Sequence, residues 1–154
     1  MIPFFATLGF LAAVFFITRT FIVVSERENV VKERLGKPQD VLAPGFHFMV
    51  PLLDRAAYRQ EMREQAIDVP PQMCITKDNI QVEVDGIVYI KVGDAKDASY
   101  NISDYRLAAI NLAQTTMRSE IGKLALDETF SEREKMNISI VREIDKASAP
   151  WGIK

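Results

Sequence analysis

At 154 residues, with 26% charged and 48% hydrophobic side chains, the chain is long enough for one domain plus an appendage and too apolar to be disordered. A net charge of −2 excludes the basic excess of a general nucleic-acid binder. One cysteine, Cys74, forbids an intramolecular disulfide, and one histidine, His47, leaves too few Cys and His ligands for a zinc site within a single chain.

The apolar character is concentrated at the start. No charged side chain precedes Arg19, and six of the nine phenylalanines fall within the first 21 residues. Ile2, Phe4, Phe5, Leu8, Phe10, Leu11, Val14, Phe15, Phe16 and Ile17 predict a single membrane-spanning helix over residues 1–20. Residues 2–17 alone would span ~24 Å as a helix, short of a ~30 Å hydrocarbon core. Extension to Val24, with Arg19 reaching the headgroups, closes the gap. A cleaved signal peptide fits less well, because no basic residue precedes the run and no small-residue cleavage site follows it. A hairpin dipping into one leaflet would need a breaker near the middle, and Pro3 stands at the start. Arg19, Arg27, Lys32, Arg34 and Lys37 all follow the segment, which predicts a single-pass protein of the cell membrane with its soluble domain in the cytoplasm.

The body, residues 21–154, reads as strands first and helices after. Val30 and Val31 lie in a short run that ends at the turn signal Gly36-Lys37-Pro38. Pro44-Gly45 marks a second turn, and residues 46–50 form a brief strand closed by Pro51. Phe46, Phe48 and Val50 share one face of that strand, His47 and Met49 the other. Residues 58–69 read as extended, ended by Pro70-Pro71. The clearest strand runs over 80–92, where Ile80, Val82, Val84, Val88, Ile90 and Val92 alternate with polar residues. Residues 94–100 make a short turn or helix. Ser103 is the expected cap of a long helix with a stripe of Leu107, Ile110, Met117, Ile121 and Leu124, weakened by Gly122 within it. A last helix starts near Ser131, which forms a capping box with Glu134, and carries Met136, Ile140, Val141 and Ile144. Pro150 and Gly152 stop it. The fold class expected is α+β: antiparallel strands, then two amphipathic helices, behind the anchor.

Signs of catalysis are sparse. There is no dinucleotide-binding or phosphate-binding glycine motif and no Gly-x-Ser-x-Gly elbow. His47, between two phenylalanines on a strand, reads as an outward-facing strand residue, and Cys74 as packing. Asp78, Glu83 and Asp85 could serve a hydrolase if they converged in a cleft. Glu83 and Asp85 fall on the polar face of an alternating strand, where a solvated surface is the plainer reading. No catalytic, cofactor-binding or metal-binding residue is expected.

Several segments, in order over residues 26–154, together resemble the stomatin/prohibitin/flotillin (SPFH, or band 7) domain, nearest its stomatin-like, paraslipin branch. They are Val30-Val31 with Arg34-Leu35-Gly36-Lys37; Pro44-Gly45-Phe46-His47-Phe48 with Pro51-Leu52-Leu53-Asp54-Arg55; Ile75-Thr76-Lys77-Asp78-Asn79; Ala113-Gln114-Thr115-Thr116-Met117-Arg118 with Ile121-Gly122-Lys123 and Leu126-Asp127; and Trp151-Gly152-Ile153-Lys154. The resemblance implies a membrane-anchored scaffold without catalytic residues or cofactor. Its partners would be the lipid bilayer, further copies of itself in a ring or cage, and a membrane protease, with a role in protein quality control and no nucleic acid. It also implies a closing strand and a coiled-coil helix after Trp151-Gly152-Ile153-Lys154, where this sequence stops, so the chain is expected to lack them. Phe46, Phe48, Met49 and Val50, a dense apolar group between two prolines, are the candidate membrane contact outside the anchor. The competing reading packs Phe46 and Phe48 into the core, with Met49 as filler.

Overall fold

The structure, a computed structural model, describes residues 20–154. The candidate anchor side chains from Ile2 to Ile17 therefore lie outside the described residues. Among the described residues no helix is long and apolar enough to cross a membrane. This corrects the expected architecture of a spanning helix followed by strands, since no such helix is present among the described residues. The chain divides into two compact units, one ending at Met62 and one running over Arg63–Lys154.

The described residues of the first unit form five short strands: β1 (Phe21–Val24), β2 (Glu28–Arg34), β3 (Lys37–Leu42), β4 (Gly45–Phe48) and β5 (Asp54–Glu61). β1 pairs with β4, and β3-β2-β5 form a three-stranded antiparallel sheet. The β2–β3 turn falls at Leu35-Gly36, with φ of 52° and 79°, one residue earlier than the Gly-Lys-Pro signal suggests. Positive φ at both central residues matches the twist of a two-residue hairpin. Pro38 sits in edge strand β3, where its missing N–H costs no central ladder bond. Val24, Val30, Leu42 and Met49 form the core, with Ile22 and Ala56 packed against it.

The second unit opens with a long hairpin, β6 (Gln65–Ile75) and β7 (Gln81–Ile90). Pro70-Pro71 does not end β6. The register passes from Val69↔Gly86 to Gln72↔Val84, so the two prolines occupy a bulge that needs no N–H donors. Asn79, with φ of 66°, turns the tip, and the Thr76 and Ile80 backbones close it at 2.9 Å.

Four helices follow where a short turn or helix and two longer helices were expected: α1 (Ala95–Tyr100), α2 (Tyr105–Ile121), α3 (Leu126–Ser131) and α4 (Arg133–Ser148), then a 3-10 turn over Ala149–Trp151. Asp104, not Ser103, caps α2, accepting from the Arg106 and Leu107 N–H groups at 3.0 Å. The buried stripe of α2 is Ala109, Ala113, Thr116, Met117, Glu120 and Ile121, while Leu107 is exposed. Small alanines let the helix sit close to the hairpin. Gly122 caps the C-terminus of α2 and does not lie within it. Ser131 ends α3, and a one-sided cap lies earlier, where the Glu128 carboxylate accepts from the Ala125 N–H at 2.9 Å. Of the expected α4 stripe, Ile144 is buried, Met136 and Ile140 are half-buried, and Val141 is exposed. Val69, Ala113, Met117 and Ile144 make the core of this unit.

The last residues return to the hairpin. Ile153 bridges Val92 antiparallel, and Lys91 and Lys154 exchange backbone hydrogen bonds at 2.7 and 3.0 Å. Gly152 has φ of 68°, and a Cβ there would meet the Asp94 carbonyl at 2.8 Å, so only glycine makes this return.

Candidate functional site

The most distinctive surface is the outer face of the β1–β4 ladder. Phe21 pairs with Phe48 and Val23 with Phe46 across the two strands. Strand alternation sends these four side chains one way and Ile22, Val24 and His47 the other. Ile22 and Val24 join the core, and His47 Nε2 bonds the Ala43 carbonyl at 2.6 Å. The four outward side chains stay in solvent: Val23 is 70% exposed, Phe46 66%, Phe48 64% and Phe21 44%. Phe21 stacks on Phe46 with centroids 5.1 Å apart and meets Phe48 edge-on at 6.0 Å. Such pairs stiffen the patch.

Phe46 and Phe48 are therefore not core residues. Met49 is, buried against Val24, Val30 and Leu42, and its N–H bonds the Thr20 carbonyl at 2.7 Å. Val50 is half-buried and works through its backbone. Its N–H donates to Asp54 Oδ2 at 2.9 Å, and its carbonyl accepts from Leu53 and Asp54.

Asp54 is the charged pivot of this end of the unit. Its side chain is almost fully buried, and Arg34 grips it with Nε–Oδ1 at 2.6 Å and Nη2–Oδ2 at 3.1 Å. The Arg34 hydrogen bond, aided by the Val50 N–H and opposed by burial, lowers the Asp54 carboxyl to about 2. Sequence reading missed this clamp, because nothing local marks residues 20 positions apart as partners.

The three carboxylates a hydrolase would need do not assemble. Asp78 bonds the Thr76 hydroxyl and accepts from the Leu126 N–H at 3.2 Å, tying the hairpin tip to the start of α3. The Thr76 hydrogen bond holds Asp78 below the usual carboxylate range, which suits a structural acceptor and not a general acid. Glu83 and Asp85 stand on the exposed face of β7. A cavity of about 550 Å³ lies between β7, α2 and α4, and of the three only Asp85 reaches its lining, among Val84, Val88, Met117, Ile140 and Ile144. Cys74 is buried. Among the described residues no group of three His, Cys, Asp or Glu side chains is placed to hold a metal. A second unforeseen tie is Glu120, mostly buried, held below its ordinary value by Lys123 and by the Ser139 hydroxyl at 3.0 Å, which links α2 to α4.

The sequence profile of the SPFH domain / Band 7 family matches residues 22–154. A stomatin-like protein of Caenorhabditis elegans is 49% identical over 131 residues, 85% of this chain and 40% of that protein. Human mitochondrial stomatin-like protein 2 is 44% identical over 133 residues, 86% of this chain and 37% of its own. A stomatin homologue of Pyrococcus abyssi is 40% identical over 151 residues, 98% of this chain and 56% of its own. The chain thus spans about two fifths of the length of the first two relatives.

Proposed function

The chain belongs to the SPFH domain / Band 7 family, and from that premise we propose that it is a membrane-associated scaffold that assembles with copies of itself and acts without catalysis. The assembled form would be a ring or cage that organises neighbouring membrane proteins, membrane proteases among them. The observation that carries the reading is the exposed aromatic ladder of Phe21, Phe46 and Phe48 with Val23. A soluble protein rarely leaves stacked phenylalanines in water unless a membrane or a partner covers them. Phenylalanines on a rigid ladder lose little conformational entropy on insertion, which suits a shallow contact with lipid. Phe46 and Phe48 would make that contact. Met49 and Val50 would support it from behind, as buried packing and as the backbone link to Asp54.

Reconstitution of the full chain with a photoactivatable phospholipid tests the contact. Lipid adducts should map by mass spectrometry to the β1 and β4 peptides and disappear in F46E/F48E. Adducts absent from those peptides in the wild type would overturn the lipid reading. The native mass of the detergent-solubilised chain tests assembly: a multiple of 17.4 kDa is expected, and a monomer would contradict it.

A further inference from the structure

Two turns at one end of the first unit carry exposed leucines in a backbone conformation that leucine disfavours. Leu35, at the β2–β3 tip, has φ of 52° and is 77% exposed; Leu52, between β4 and β5, has φ of 76° and is 88% exposed. Glycine or asparagine fits such positions better. The only other non-glycine residue of positive φ among the described residues is Asn79, where the residue type does fit. Strain and exposed apolar surface thus coincide at two leucines, and strained residues of this kind collect at functional positions. The two turns are also held side by side. The Leu35 N–H bonds the Leu53 carbonyl at 3.3 Å, and Leu53 is itself 44% exposed. Immediately behind them stands the Arg34–Asp54 clamp, with Asp54 also fixing the Val50 N–H. The tips are therefore a rigid, pre-set knob.

We propose that Leu35, Leu52 and Leu53 form a second lipid-inserting contact, with a preference for an anionic leaflet. This rests on the membrane reading above and extends it beyond the aromatic ladder. Two observations select lipid as the occupant. The knob follows the aromatic ladder closely along the chain, Phe48 ending β4 only four residues before Leu52. Its collar carries more cations than carboxylates: Lys37 and Arg55 are exposed beside the tips, Arg34 is matched by Asp54 and Lys32 by Asp40, and Glu33, opposite Arg55 in the ladder, is the one further acidic residue. An apolar tip in a cationic collar is the pattern that enters a headgroup region of negative charge.

The test uses the full chain in vesicles carrying a lipid-borne quencher, with a small fluorophore on L35C, L52C, F48C or R59C. Cys74 is buried and stays unlabelled in the folded protein. Arg59 lies five residues along β5 from Asp54, ~16 Å away in a strand, and serves as the control. Labels at 35 and 52 should be quenched strongly, more so when phosphatidylglycerol is included, while 59 stays near its value in solution. Quenching at 48 without quenching at 35 and 52 would overturn the knob and leave the ladder contact standing. Loss of quenching at all of 35, 48 and 52 would overturn both. Equal quenching with and without phosphatidylglycerol would overturn the anionic preference. L35N/L52N adds a second readout. It should melt no lower than the wild type, because asparagine relieves the strain, yet it should lose lipid adducts at these two turns. Unchanged adducts would contradict the proposal.

Discussion

The two units each contain a two-stranded antiparallel ladder, and they use it in opposite ways. In β6–β7 one face is roofed by helices, so Val69, Val84 and Val88 pack against Ala113, Met117 and Ile144. In β1–β4 the inward face joins a small core, and the outward face displays three phenylalanines in contact, one pair stacked and one edge-on. The same period of two thus yields a stability element in one unit and an exposed apolar surface in the other. Large losses of stability should follow from substitutions beneath the helices, and losses of lipid contact from substitutions on the open ladder.

The comparison breaks first at Met117, whose thioether lies against Gly86 and the hairpin. Met117→Ala should cost about 2–5 kcal/mol, read as a fall in denaturation midpoint. Gly152→Ala comes next, at about 1–3 kcal/mol, because its positive φ and the close Asp94 carbonyl leave no room for a Cβ. Hydrogen exchange should show that loss at Lys91 and Lys154, the bonds that tie the chain's return to the hairpin.

A smaller effect belongs to Asp54. Its folded pKa, about 2, lies below the ordinary carboxylate value near 4. The clamp therefore stabilises the unit fully above about pH 4, and the contribution disappears as pH falls through about 2. With Arg34 40% exposed, screening reduces the effect to about 1 kcal/mol. The melting temperature should drop over that window in the wild type and change less in Asp54→Asn, which should already be lower at neutral pH. The smallest change in stability is expected for Phe46→Ser with Phe48→Ser, within about 0.5 kcal/mol per site, since both rings are mostly in solvent. That pair should nevertheless lose the most lipid contact, which is the sharpest form of the comparison.

Local patterning was readable before the structure. Alternation over 80–92 marks β7 and its half-buried face, and alternation over 46–50 separates Phe46 and Phe48 from His47 and Met49. Which face is inside was not readable at β4, because both faces are apolar enough and the choice depends on what Val24, Val30 and Leu42 leave open. Pro70-Pro71 misled, since proline forbids a central ladder bond but is accommodated by a bulge. The long helix was found by its spacing, but its buried stripe runs through Ala109 and Ala113, which hydropathy alone ranks below Leu107 and Ile110. The ties Arg34–Asp54 and Glu120–Ser139 join residues distant in sequence, and no spacing rule could have paired them.

The central claim is that the outward face of β4, and not its inward face, meets lipid. Spin labels placed singly at positions 46, 47 and 48 of the full chain in vesicles test it directly. Accessibility to oxygen, which concentrates in the hydrocarbon, should be high at 46 and 48 and low at 47, following the strand's alternation. Low oxygen accessibility at all three, or a uniform value without alternation, would contradict the claim.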